Sequence, residues 1–322
     1  MSFYFSADSM EEIHNVLMST LLEDFDYESA PRGKPIRELI APSFTLTDPR
    51  NRLIMSPARA VNYGFAVGEL CWYVRGDKDL ATMLYYNKRM TQFSDDGQTI
   101  NSAYGYRMFK ERWTDVIKQG FIPTLGAVCQ LDNIISELKR DPDSRRAVMH
   151  INEPNDLRQA VQHGSKDVPC TMSLQLLIRD RKLHMHVLMR SNDVVWGLPY
   201  DVFSFTCLQE AFLYQLQAAG VPVDDLGSYH HTAGSLHLYD THYEMAGLVS
   251  HEKLDDPSPM KPFTLDQLDV LAHSWEPRIR ESVVTRNEID SVGDETIGWM
   301  ADRLIEHRLK REAEKLKKEE SK

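Results

Sequence analysis

An α+β fold is what this sequence predicts, and three features predict it. Residues 8–25 set Met10, Ile13, Val16, Leu17 and Leu21 near a 3.6-residue period, the mark of an amphipathic helix. Residues 59–75, RAVNYGFAVGELCWYVR, form a second and more apolar helix. Strand-like runs lie between and after them: the Pro-rich APRGKPIRELIAPSFTLTDPRNRLI, with turn residues at Asp48-Pro49, and the run that follows Cys170. With 322 residues, 42% hydrophobic and 26% charged, the chain can bury a sizeable core as an ordinary globular protein.

The other elements follow in order. From Tyr86 to Phe109 the chain is polar and loop-like, closing in NSAYGYRMF, and residues 127–139 read as a helix before DPDSRRAVMHINEPNDL. The strand-like run after Cys170 ends in Arg190-Ser191-Asn192-Asp193. A Gly-Leu-Pro turn comes next, Asp201 opens a helix-like segment, and residues 206–219 make another apolar helix. From Asp302 the tail DRLIEHRLKREAEKLKKEESK is a charged helix whose expected role is a solvated face. There is no internal repeat, no GxGxxG and no P-loop. One domain over residues 1–322 is expected, with a charged helical extension from about 290–322.

Composition narrows the function classes. The start, MSFYFSADSMEEIHNV, lacks a signal peptide's basic opening and apolar run, and no stretch approaches about 18 apolar residues, so a cytoplasmic protein is expected. A net charge of −11 argues against a general nucleic-acid binder, which needs a basic face. A phosphate ligand stays open, because a few local arginines suffice. Of the four cysteines, Cys71 and Cys207 lie inside apolar runs and read as buried thiols, whereas Cys170 follows Val168-Pro169 and precedes polar Thr171. His184, His186, His230 and His231 invite a metal, but only His184 and His186 share a strand face and no third ligand is in the pattern, so none is expected.

Chemistry concentrates between Val168 and Glu210, where the chain reads Cys-X(19)-Arg-Ser-X-Asp-X(3)-Gly-Leu-Pro-aromatic-acid. This array resembles the thymidylate synthase family, whose members read Pro-Cys, then Arg-Ser-X-Asp, then Gly-Leu-Pro-Phe-Asn. Asp201 stands where that pattern ends in Asn, which resembles the branch that hydroxymethylates pyrimidine nucleotides at C5. The likeness runs from about Arg32 to Pro262. A carboxylate on an apolar helix needs a partner or a job, and Glu69 is such a residue. Its segment GELCWYVRG resembles Glu-Leu-Leu-Trp-Phe-Leu-X-Gly, which implies that Glu69 organises proton transfer around the base. Similarity of NSAYGYRMF to Gly-Pro-Val-Tyr-Gly gives Tyr104 a part in proton removal, and two tryptophans of the family's folate pocket fall on Met90 and Phe93. DPDSRR resembles Asp-Pro-X-Ser-Arg-Arg, in which Arg145 and Arg146 reach across a homodimer to the partner's phosphate. Guanidinium forks suit a phosphate dianion. Arg32, followed by Gly33, matches a phosphate-holding arginine, and Arg190 and Ser191 complete the substrate set. In YHHTAGSLHLYDTHYE, His237 and Tyr239 match the pair on the sugar 3′-hydroxyl, with Ser235 in place of the family's Asp; Asp193 matches the folate-ring position.

The resemblance implies a large twisted mixed β-sheet flanked by helices, a homodimer, and 5,10-methylenetetrahydrofolate as cofactor. Pyrimidine C5 is a poor nucleophile until something adds at C6, which a thiolate does well. Cys170 is the expected nucleophile. A free thiol near pKa ~8.5 needs positive charge beside it to ionise at neutral pH, and Arg190 with the phosphate arginines is expected to supply it. Met90, Phe93 and the charged tail favour water over hydride at the activated carbon, hence a hydroxymethyl product. Asp201 suits cytosine, because a carboxyl group accepts from the 4-amino group and, when protonated, donates to N3; its other use would be a helix N-cap. dCMP hydroxymethylation leads, with CMP or dUMP hydroxymethylation, a true C5-methylase, and an inactive nucleotide- or RNA-binding relative as alternatives.

Overall fold

The computed structural model describes residues 3–109, 129–253, 258–282 and 295–320. Its strands are β1 (Tyr4–Ala7), β2 (Tyr27–Ser29), β3 (Ile36–Ile40), β4 (Ser43–Leu46), β5 (Val148–His150), β6 (Thr171–Arg179), β7 (Lys182–Met189), β8 (Asn192–Asp193), β9 (Asp225–Ala233) and β10 (Ser235–Tyr239). The helices are α1 (Met10–Glu23), α2 (Tyr63–Arg75), α3 (Leu80–Tyr86), α4 (Tyr104–Phe109), α5 (Gln130–Arg140), α6 (Pro154–His163), α7 (Leu198–Ala218), α8 (Tyr243–His251), α9 (Leu265–Val270), α10 (Glu276–Glu281) and α11 (Glu295–Glu320). Residues 127 and 128 of the expected third helix lie outside the described residues, as do residues 254–257. No helix among the described residues is long and apolar enough to cross a membrane.

Six strands pair in the order β1-β4-β9-β7-β6-β5 and four in the order β2-β3-β10-β8, with parallel and antiparallel neighbours in both. The two sets are one bent sheet. β3 runs into β4 through Ala41 at φ 52°, β7 into β8 through Arg190-Ser191, and β9 into β10 through Gly234. Hydrogen bonds carry across the bend: Ala41 N–H donates to Gly234 O at 3.0 Å, Gly234 N–H to Met189 O at 2.8 Å, and Arg190 N–H to Cys170 O at 2.8 Å. A Cβ on residue 234 would meet Arg190 O at 2.8 Å, so only glycine lets the strands approach this closely. The large mixed sheet flanked by helices is the expected fold, and its bend passes through Cys170, Arg190 and Ser191.

α7 is apolar on nearly every side and buried on nearly every side. It is a single helix from Leu198, with Gly197 at its N-cap and Pro199 in its first turn, where a missing N–H costs nothing. The two separate helical pieces expected after the Gly-Leu-Pro turn are therefore one. Arg50 and Arg52 bond its buried Glu210 at 2.8 and 2.7 Å, so that charge is paired. The run after Cys170 is a hairpin, β6 and β7, turned by Asp180 and Arg181 at φ 50° and 59°. In α2, Asn62 caps the N-terminus by accepting from Phe65 N–H, and Gly76 closes the C-terminus at φ 60°.

The tail departs from expectation. In α11, Ile297, Met300, Ala301 and Leu304 are buried, and Trp299 packs its ring 5.2 Å from Tyr63 of α2. A Cβ on Gly64 of α2 would stand 2.5 Å from His307 Cβ, so the helices meet without room for a side chain. Of the stretch from Asp302 expected to be a solvated face, Leu304 is buried, and the later turns, carrying exposed Leu309 and Leu316, form that face.

Candidate active site

Cys170 occupies the residue before β6, against the end of β7. Arg190 is held there by two carbonyls: Nε donates to Pro169 O at 2.9 Å and Nη2 to Val168 O at 3.0 Å. That clamp leaves Nη2 3.6 Å from Cys170 Sγ. Burial nevertheless pushes the thiol above its usual value; Arg190 and Arg32 pull it down, while Asp201 and Asp193 push it up. The expected arginine field is present but is outweighed by burial, so the raised value favours the thiol form of Cys170.

Glu69 and Tyr73 lie four residues apart on one face of α2 and share a hydrogen bond. Burial pushes Glu69 up to about 8, with Asp201 adding to the rise and Tyr73 opposing it. Asp201 itself is pushed up to about 7 by burial, against the bond it receives from Asn192. Both acids keep part of their surface accessible. Tyr104, the first residue of α4, accepts from Thr171 N–H at 3.4 Å, and its ring lies 5.6 Å from Tyr73 and 6.0 Å from Phe205. Burial, Cys170 and Asp201 together hold its phenol well above the ordinary range. Cys170, Arg190, Glu69, Tyr104 and Asp201 thus form one interacting group. The helix N-cap use of Asp201 is excluded, since Gly197 takes that place and accepts from Asp201 N–H at 3.0 Å.

The structure brings most remaining candidates to the same place. Arg32, exposed at φ 55°, reaches Tyr239 with a hydrogen bond and acts on Cys170 and His237. The rings of His237 and Tyr239 meet edge-on at 5.2 Å on β10, and His237 pairs in register with Asp193 of β8. Burial lowers the His237 pKa, with Asp193 opposing, so it is a neutral imidazole. Half-buried Ser191 lies at the bend. Asp193 Oδ1 accepts from the backbone N–H groups of Val195 and Trp196 at 2.7 and 3.0 Å, which fixes the turn into α7. Met90 is half-buried and Phe93 41% exposed on a short 3-10 turn, Lys88–Phe93. Arg145 and Arg146 are the exceptions. Both are exposed beside β5, Arg146 bonds Glu137 at 2.8 Å, and among the described residues neither contacts the Cys170 group. No group of three or more His, Cys, Asp or Glu among the described residues could hold a metal.

Sequence reasoning missed Asn192, Trp196, Arg59 and Arg89. Asn192 and Trp196 fall on the X positions of the array, which gave no signal. Trp196 is 41% exposed beside Asp193, donates Nε1–H to His242 at 2.9 Å, and has the Arg89 guanidinium 4.3 Å and the buried Arg59 guanidinium 5.7 Å from its ring centre. A part-exposed indole beside a carboxylate and two cations has the chemistry to meet the flat ring and anionic tail of a folate.

Comparison with known proteins agrees with this geometry. The thymidylate synthase family model matches residues 17–269. Among curated relatives, the deoxyuridylate hydroxymethyltransferase of Bacillus phage SP01 is 30% identical over 292 residues, covering 85% of this chain and 73% of that protein. The enzyme of the same name from Delftia phage PhiW-14 is 32% identical over 205 residues, covering 61% of this chain and 51% of its own length. Among solved structures, thermostable thymidylate synthase A from Bacillus subtilis superposes with a TM-score of 0.59 at 21% identity, over 77% of this chain and 86% of that one. The chain therefore belongs to the thymidylate synthase family and is a folate-dependent one-carbon transferase.

Proposed function

We propose that this chain hydroxymethylates C5 of a pyrimidine deoxynucleoside monophosphate, with dCMP as substrate and 5,10-methylenetetrahydrofolate as carbon donor. The observation that carries the reading is the convergence of Cys170, Arg190, Glu69, Tyr104 and Asp201 at the bend of the sheet. When bound, the folate supplies one carbon at the oxidation level of formaldehyde. Cys170 gives up its thiol proton to solvent as Sγ adds to C6, and the electron pair displaced from the C5–C6 double bond makes C5 nucleophilic. Glu69, protonated near neutral pH, gives its proton to the leaving amine, and the carboxylate this leaves takes up the C5 proton, relayed through the Tyr104 hydroxyl. Water adds to the new exocyclic carbon as Sγ leaves C6. Arg190 and Arg32, with Arg145 and Arg146 from a second copy of the chain, hold the phosphate, and His237 and Tyr239 hold the sugar hydroxyl.

Cytosine is favoured by Asp201. Its proton is released near neutral pH, so the carboxyl group can donate to N3 and accept from the 4-amino group. Water is favoured over hydride by exposed Phe93 and by the names of the relatives. Those names also support a second reading, dUMP as substrate. Release of tritium from C5 of labelled dCMP and dUMP tests the first step. Wild-type protein should release it, and Cys170→Ala should lose at least about a thousandfold in rate. Release by Cys170→Ala at the wild-type rate would remove Cys170 as nucleophile.

A further inference from the structure

Asp201 reads a base with two oxygens, and those oxygens are not equivalent in the fold. Asn192, 3% exposed on β8, donates Nδ2–H to Asp201 Oδ2 at 2.9 Å. Its amide orientation is set from behind: the same Nδ2 rests on Met189 Sδ, a weak acceptor, while Oδ1 is buried with no partner among the described residues. Rotating the amide would put a carbonyl oxygen against the sulfur and against the carboxylate. Gly197 borders both groups, and a Cβ there would stand 3.3 Å from both Asn192 Oδ1 and Asp201 Oδ2.

We propose that Asn192 is the positioning residue for base choice: its N–H keeps Oδ2 of Asp201 an acceptor and leaves Oδ1 to carry the acid's proton. Cytosine and uracil demand opposite orders of donor and acceptor at N3 and the C4 substituent. A carboxyl group free to carry its proton on either oxygen satisfies both bases. One whose proton is confined to Oδ1 satisfies one and leaves the other with clashing hydrogen-bond roles in a buried site. The inference rests on the reading that Asp201 faces this edge of the base, and it holds whichever of the two bases is preferred. Asn192 acts only through Asp201.

The test is the ratio of kcat/KM for dCMP and dUMP in wild type, Asn192→Leu, Asn192→Ala and Asp201→Asn. A ratio is taken on the same folded molecules, so partial unfolding cancels. The expected result is that both Asn192 variants shrink the ratio at least about fivefold toward one, chiefly through KM of the disfavoured nucleotide, while Asp201→Asn also moves it. If Asp201→Asn moves the ratio and both Asn192 variants leave it within about twofold of wild type, the role of Asn192 is overturned. If Asp201→Asn leaves it unchanged, the underlying reading of Asp201 falls, and the inference falls with it.

Discussion

Glu69 and Asp201 hold protons that the unfolded chain would release. The ordinary values are 4.5 and 3.8, and in the fold they rise to about 8 and about 7. Each group's stability contribution is therefore intact below its ordinary value and is lost as pH climbs to the raised one. These two groups therefore subtract from folding stability between pH 5 and pH 8, while buried His14 and His231, lowered to about 3, add to it as pH rises toward 6.5. Glu69→Gln removes one of the two acids, so its change in Tm from pH 5 to pH 8 should lie above that of wild type by about 2 °C or more. An equal change in both proteins would mean that Glu69 is ionised throughout. At this scale the site was legible where a residue type is rare in its setting: a carboxylate among apolar helix residues, a cysteine between proline and threonine. Asn192 and Trp196 escaped because an amide on a short strand and an indole before a turn are ordinary until their neighbours are known. The lowering by Arg190 is legible in the sequence, whereas the burial that outweighs it at Cys170 has no local signature.

Elements were read best where periodicity is local. α1 and α2 were found within a few residues of their observed ends, and their caps, Ser9 and Asn62, are side chains that accept from the first turn. The β6–β7 hairpin was read as one run because its turn, Asp180-Arg181, carries no glycine although both residues have positive φ. α7 was split because a Gly-Leu-Pro sequence reads as a turn, whereas here it caps and starts the helix. Charge misled the reading of α11, whose apolar stripe is confined to its first turns. Leu304 is 1% exposed and Leu316 59% exposed. Leu304→Ala should cost about 2–5 kcal/mol in denaturant unfolding. Leu316→Ala should cost under about 0.5 kcal/mol. Equal, small costs would show that the tail is not part of the core.

The bend that aligns Ala41, Gly234 and Arg190 joins strands far apart in sequence, and no local pattern announces it. Only the resemblance placed Cys170 and Arg190 together before the geometry did. The same scale holds the proposed dimer. Arg145 and Arg146 are exposed and stand outside the chain's own site, as groups serving a partner would. Refolding Cys170→Ala together with the Arg145→Ala, Arg146→Ala double variant should restore activity that neither has alone. In random pairs one site in a mixed dimer is complete, so about a quarter of wild-type activity is expected. No recovery on mixing would place both arginines in their own subunit's site or outside any site.

The most direct test of the account is product mass after dCMP and dUMP are each incubated with the protein and 5,10-methylenetetrahydrofolate. The account predicts gain of a formaldehyde unit on dCMP, with tetrahydrofolate left over. Gain of a methylene unit, with dihydrofolate formed, would contradict water as the final nucleophile, and turnover of dUMP alone would contradict cytosine recognition by Asp201.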